Sequence, residues 1–135
     1  MNCLIKSIYF CPVKSLSFQS LKSCNIKKNL GMLNDRVFAF SRGIDFDKAK
    51  LIEKNPKERK LNNLLILKNS PVLNKYNFIY DGNSLTLTNH NKELISILPK
   101  NPDQSSLLTK KLLKLEKSLQ GPIFLLTNND FSGKT

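Results

Sequence analysis

Ile8-Tyr9-Phe10-Cys11-Pro12-Val13-Lys14-Ser15 is the stretch on which the reading of this chain turns. An apolar, β-like run stops at a proline, and a lysine and a serine are presented just beyond it. Pro12 fixes its own φ and pushes Cys11 into an extended conformation. Strand ends that turn into short polar loops are where binding groups usually sit. Lysine offers a point charge and serine a hydroxyl that donates or accepts, a pair suited to a phosphate or another anion. The plain alternative is an ordinary strand exit carrying a solvated lysine.

Working outward, Asn2 to Phe10 reads as a first strand and Ser20 to Lys28 as a second, with Leu21, Cys24 and Ile26 as inward candidates. Asn29-Leu30-Gly31 supplies a turn, because Gly31 takes a positive φ without steric cost. Asp35 and Arg36 then stand at the start of Val37-Phe38-Ala39-Phe40-Ser41, a run of the kind that forms buried strands. Asp35 beside Arg36 reads on its own as a local turn or ion pair.

From Asp45 to Lys54 the apolar spacing predicts a short helix that ends before Asn55-Pro56, followed by the charged run Lys57 to Lys60 as a solvated loop or helix end. Leu64 to Leu67 reads as a strand. Tyr76 to Tyr80 and Ser84 to Thr88 flank Asp81-Gly82-Asn83, the strongest hairpin signal in the sequence. Leu94 to Leu98 reads as a further strand. Leu108, Leu112, Leu115 and Leu119 then recur at i, i+4, i+7 and i+11, with Asp103 as the candidate N-cap of an amphipathic helix. Gly121-Pro122 ends that helix, and Ile123 to Leu126 starts one more strand. A lone strand has nothing to pair with, so a second domain is expected to open there.

Composition narrows the function classes. The chain has 135 residues with 40% hydrophobic content, enough for one core. No apolar run approaches a membrane span, and the N-terminal residues lack the pattern of a signal peptide; a cytoplasmic location is the expectation. Cys3, Cys11 and Cys24 form no close pair and have only His90 to join them, which argues against a zinc site or a disulfide framework. Lys+Arg number 22 against 10 Asp+Glu, a formal net charge of +12. Such a surplus suits nucleic acid, but it is mostly lysine spread along the chain, and arginine is limited to Arg36, Arg42 and Arg59. No aromatic stacking pattern accompanies it. Ser132-Gly133-Lys134-Thr135 mimics the end of a phosphate-binding loop but has Asn128 where the pattern needs glycine.

The order and spacing of three pieces carry a resemblance. Ile8-Tyr9-Phe10-Cys11-Pro12-Val13-Lys14-Ser15-Leu16 resembles a Tyr-Pro-Val-Lys-Ser opening. Gly31-Met32-Leu33-Asn34-Asp35-Arg36-Val37-Phe38 is similar to a Gly-Leu-x-x-Asp-Arg-x-Trp strand. Leu64 to Leu73, with the hairpin at Asp81 to Leu87, completes the set. Together, over roughly residues 2 to 126, they resemble the N-terminal β-barrel domain that precedes the MOSC (molybdenum cofactor sulfurase C-terminal) domain, as in the mitochondrial amidoxime-reducing component and its bacterial relatives. The link from Gly43 to Asn63 is longer than usual, and Lys68 stands where the family often has arginine.

The resemblance implies a mainly β fold with α: a small N-terminal β-barrel over residues 2–100, a connecting amphipathic helix over 101–121, and the start of a truncated MOSC domain over 122–135. It implies molybdopterin-type molybdenum cofactor held in a cleft between the two domains, its phosphate bound by Lys14, Ser15 and Arg36. The metal's cysteine ligand belongs to the MOSC domain, and Cys3, Cys11 and Cys24 do not match its position; no catalytic residue is assigned here. Pyridoxal phosphate binding is also a family-level association. Full-length relatives reduce small N-hydroxylated or other N-oxygenated substrates, taking electrons from a reductase, cytochrome or iron–sulfur protein or domain. The rival readings are a non-catalytic sulfur or molybdenum-cofactor carrier of the same MOSC kind and a basic nucleic-acid-binding barrel, the latter disfavoured by the scarcity of arginine and the lack of an aromatic stacking pattern; no nucleic-acid partner or membrane span is expected.

Overall fold

A computed structural model describes residues 3–24, 26–27 and 31–127. In chain order, β1 (Ile8–Phe10), β2 (Gln19–Leu21), β3 (Ile26–Lys27), β4 (Gly31–Met32) and β5 (Phe38–Arg42) precede α1 (Phe46–Lys54). Next come β6 (Tyr76–Tyr80), β7 (Leu85–Asn89) and β8 (Lys92–Ile97), then α2 (Pro102–Leu115) and β9 (Ile123–Thr127). The fold is therefore mainly β with α. Among the described residues no helix is long and apolar enough to cross a membrane.

The described strands pair antiparallel in four small sheets, β1–β2, β3–β4, β5–β9 and β6–β7–β8, and not in the closed barrel expected. Side chains stitch the gaps between ladders. Gln19 accepts from the N–H of Tyr80 through Oε1 at 2.8 Å and donates through Nε2 to its carbonyl at 3.2 Å. One amide side chain thus does for β2 and β6 what a strand partner does elsewhere. Ser17 Oγ likewise accepts from the N–H of Phe78 at 2.8 Å.

Several sequence expectations shift. The first strand is shorter than Asn2 to Phe10: residues 3–7 form no strand, and Leu4 and Ile5 are exposed. The second is split into β2 and β3, and Ile26, expected inward, is 73% exposed. Two-stranded pieces this short have no second layer against which to bury an alternating face. Leu64 to Leu67 makes only an isolated bridge from Leu64 to Ser41, although Leu64, Leu65 and Ile66 are all buried. An apolar run alone does not distinguish a strand from a buried turn. Asn29 and Leu30 of the expected turn, and the Ser132–Thr135 stretch, lie outside the described residues.

The hairpin at Asp81 holds. β6 and β7 pair from Tyr76↔Asn89 to Tyr80↔Leu85. Asp81 Oδ1 accepts from the N–H groups of Asn83 and Ser84 at 2.8 and 2.7 Å, and Gly82 takes φ +95° in the turn. Hydrogen bonds from Ser84 and Asn83 hold the Asp81 carboxyl below its ordinary value.

Both helices form where periodicity places them, with caps partly reassigned. Asp45 caps α1 by accepting from the N–H of Lys48 at 2.8 Å. At its other end Arg59 donates to the carbonyls of Ile52 and Glu53 at 2.8 and 2.7 Å, so this member of the charged run closes a helix and is not merely solvated. The cap of α2 is Asn101, not Asp103: its side chain accepts from the N–H groups of Asp103 and Gln104, and Pro102 occupies the first turn where no N–H is needed. Leu108 and Leu112 of α2 are fully buried, Leu115 lies at the edge, and Leu119 is buried beyond the helix end.

β9 also corrects an expectation. The strand reckoned to have no partner of its own pairs with β5 along its whole length, Ile123↔Arg42 to Thr127↔Phe38. Ile123 and Leu126 are buried, Ile123 in the main core and Leu126 beneath α1 with Ala49 and Ile52. The main core centres on Phe40 and Phe78, whose ring centroids lie 5.6 Å apart, with Phe38 and Tyr80 edge-to-face at 4.9 Å.

Glu116, just past α2, accepts from the Tyr76 hydroxyl at 2.6 Å and pairs with Lys75, tying the helix end to the start of β6. Hydrogen bonds from Lys75 and Tyr76 hold the Glu116 carboxyl below its ordinary value. Burial, reinforced by Glu116, pushes the Tyr76 phenol up to about 12. The signs follow from linkage. Stability supplied by Glu116 is complete above the ordinary carboxylate range and is lost as pH falls through its lowered folded value. Between the ordinary 10.0 and about 12, the unfolded chain ionises Tyr76 while the fold keeps it protonated, so stability falls with rising pH. Glu116→Gln is expected to shallow the acid limb of a stability–pH curve and Tyr76→Phe the alkaline limb; unchanged limbs would contradict the contact. In urea titrations Phe40→Ala is expected to cost about 3–5 kcal/mol, as for other fully buried aromatic truncations; a loss near zero would contradict the core assignment.

Candidate functional site

The candidate residues Lys14, Ser15 and Arg36 stand on two turns that the backbone binds together. Leu16 N–H donates to the carbonyl of Val13 at 3.2 Å, closing a turn with Lys14 and Ser15 at its corners. Ser15 has φ +62°, the sign that the third position of a type II turn requires. A second turn closes from the N–H of Asp35 to the carbonyl of Met32 at 3.2 Å, with Asn34 at φ +65° and Arg36 following at φ +52°. Positive φ outside glycine costs about 1–3 kcal/mol per residue and persists only where surroundings impose it.

What imposes it here is a backbone clamp. Arg36 N–H donates to the carbonyl of Cys11 at 2.6 Å, Phe38 N–H to Pro12 at 3.0 Å, and Lys14 N–H to Phe38 at 2.8 Å. Val13 forms a parallel bridge with Phe38 and is fully buried between the turns. The first strand's exit and the start of β5 are therefore side by side. Sequence could only make that convergence conditional.

Asp35 is the organiser that sequence reading passed over. Its Oδ1 accepts from the N–H of Cys11 at 2.9 Å across the clamp, and its Oδ2 accepts from Arg36 Nε at 3.3 Å. The ion pair read from adjacency is present, but it is exposed on the Arg36 side, with 60% of that side chain accessible, so the pair itself contributes little. The signal available in sequence was the Asp-Arg pair; its long-range partner Cys11 had none.

The chemistry this arrangement offers lies in side chains. The backbone N–H groups of Lys14 and Arg36 are engaged in the clamp, so an anion would meet the Lys14 ammonium, the Ser15 hydroxyl and the Arg36 guanidinium. Lys14 is half-buried while Ser15 and Arg36 are exposed. These three residues line neither of two hollows in the described structure. One, of about 250 Å³, lies beside Asn34 and is bordered by Phe10, Leu21, Tyr80 and Asp81. The other, of about 530 Å³, lies between α1, the start of α2 and β9.

Cys11 sits inside the clamp. Its Sγ donates to the carbonyl of Val13 at 2.8 Å, and burial pushes its thiol up, away from the reactive thiolate. Cys3 is exposed and Cys24 half-buried, and none of the three is in a disulfide. Among the described residues no group of three or more His, Cys, Asp or Glu side chains gathers to hold a metal ion. Compared with protein-family models, curated proteins and solved structures, the chain has no match.

With a chromogenic disulfide reagent, Cys11 is expected to react at least about tenfold more slowly than Cys3, through opening of the clamp. Asp35→Ala removes the acceptor for Cys11 N–H and is expected to speed Cys11 alone. Equal rates at Cys3 and Cys11 in the unmodified chain would contradict the clamp.

Proposed function

We propose that this chain is the cofactor-anchoring part of a molybdenum-cofactor-binding oxidoreductase of the MOSC type, reducing N-hydroxylated or other N-oxygenated compounds in its full-length form. The observation that carries the reading is the clamp. It sets Lys14, Ser15 and Arg36 on adjoining turns, and these are the three positions that the resemblance assigns to the cofactor phosphate. Two cationic side chains and a hydroxyl fit a phosphate dianion. Arginine supplies a planar fork and lysine a mobile point charge.

In this reading Lys14, Ser15 and Arg36 bind and orient the phosphate end of the cofactor. Asp35 positions the turn that carries Arg36, and Pro12 directs the first strand's exit toward it. The bound cofactor supplies the redox chemistry. In this reading the metal ligand is to come from a MOSC domain. Electrons are to be supplied by a reductase, cytochrome or iron–sulfur partner. β9, the strand that opens the stretch assigned to the MOSC domain, pairs with β5 in the described fold.

The test is molybdenum content after expression with cofactor synthesis intact. Bound molybdenum is expected, and Arg36→Glu is expected to lower occupancy about tenfold or more, the loss of one charge-assisted contact worth ~1.5–3 kcal/mol. The variant's unfolding midpoint should stay near that of the parent, because the Arg36 side chain is largely exposed. No molybdenum in the parent protein would overturn the reading. Occupancy without turnover of amidoximes and hydroxylamines, with a reductant supplied, would favour a carrier.

A further inference from the structure

Among the described residues β9 has a strand neighbour on one side only, β5. Which of its peptide groups face outward follows from the ladder. Lys14 N–H donates to the carbonyl of Phe38 and Leu65 N–H to that of Phe40, so those two residues of β5 direct their backbone groups away from β9. Alternation turns Ala39 and Ser41 toward β9, and their register partners Leu126 and Phe124 toward β5. Ile123, Leu125 and Thr127 then face outward. The outward N–H of Thr127 is taken by Glu53 Oε2 at 2.8 Å. That of Leu125, with its carbonyl, opens on the cleft of about 530 Å³ between α1, α2 and β9.

The lining of that cleft limits what can enter. Phe46 and Phe124, edge-to-face at 5.5 Å, give an apolar wall, and Pro99 borders the other side. The start of α2 offers no spare amide, since Asn101 already accepts from Asp103 and Gln104. Glu53 places a carboxylate beside β9, and Lys50 is held to it at 3.2 Å, which disfavours a bare anion at the floor. Lys100, exposed at the rim, makes no ion pair among the described residues. A strand edge, an apolar wall and a cationic rim together match an extended chain whose side chains alternate between apolar and acidic. The net charge of +12 favours the acidic version over a basic one.

We propose that this cleft takes an extended acidic polypeptide segment as an added strand on the outer edge of β9, its backbone on Leu125 and a carboxylate on Lys100. The site is separate from the proposed phosphate turns and does not depend on them. The test is an amide-resolved NMR titration of the whole chain with the probe acetyl-Asp-Val-Glu-Val-Glu-Thr-amide, set against its counterpart with lysine at each acidic position. Saturable shifts at Leu125 and slower exchange of its amide are expected with the acidic probe, and Lys100→Glu should weaken that binding about tenfold. Leu125→Pro removes the outward N–H while leaving the β5 ladder, and should abolish binding; if that variant does not fold, Lys100→Glu decides. A Leu125 amide unmoved by millimolar acidic probe, or an equal response to both probes, would overturn the proposal. So would concentration-dependent shifts at Leu125 without any probe, which would assign the edge to a second copy.

Discussion

Two short turns far apart in sequence are held together by main-chain hydrogen bonds, and the organisation of the candidate site follows from that contact. Arg36 donates to Cys11, Phe38 to Pro12, and Lys14 to Phe38, around a Val13 side chain with no exposure to water. Backbone bonds between residues more than twenty positions apart cost loop-closure entropy, so they persist only with packing to offset it. Here the packing is Val13, Leu16 and Phe38 against the aromatic centre formed by Phe40 and Phe78. β5 is consequently the busiest strand: it meets Val13 at one end, Leu64 on one flank and β9 on the other.

This arrangement explains how positive φ values at Ser15, Asn34 and Arg36 are tolerated without glycine. Each lies at a corner whose neighbours are pinned by bonds across the clamp, with the Asp35 carboxylate bridging the two turns. The strain is local and the compensation is spread through the core. Functionally, the consequence is a division of labour. Main-chain amides fix the geometry, and the charge that could meet a phosphate is left to side chains on the rim.

Much of the fold was legible because its signals are local. Asp81-Gly82 between two alternating runs specifies a hairpin, apolar spacing up to the Asn55-Pro56 stop specifies α1, and the leucine spacing specifies α2. Reading failed where tertiary context decides. Ile26 sits in a strand too short to have an inside, and Leu64 to Ile66 are buried in a segment that makes only one isolated bridge despite its strand-like composition. Gln19 and Ser17 stitch sheets together through side chains, a role that no hydrophobic pattern encodes. β9 read as partnerless because its partner β5 lies more than eighty residues earlier. At the candidate site the three residues could be singled out, but the joining of the two turns that carry them rests on Cys11 carbonyl and Asp35 carboxylate contacts that sequence does not display.

The central claim is that the clamp makes one anion site from two turns. It is tested most directly by titrating the chain with inorganic phosphate and following its amide NMR signals residue by residue. If the claim holds, Lys14, Ser15, Leu16, Arg36 and Val37 shift together along one saturable curve. Shifts scattered over surface lysines without saturation, or saturation at one turn while the other stays unmoved, would contradict it.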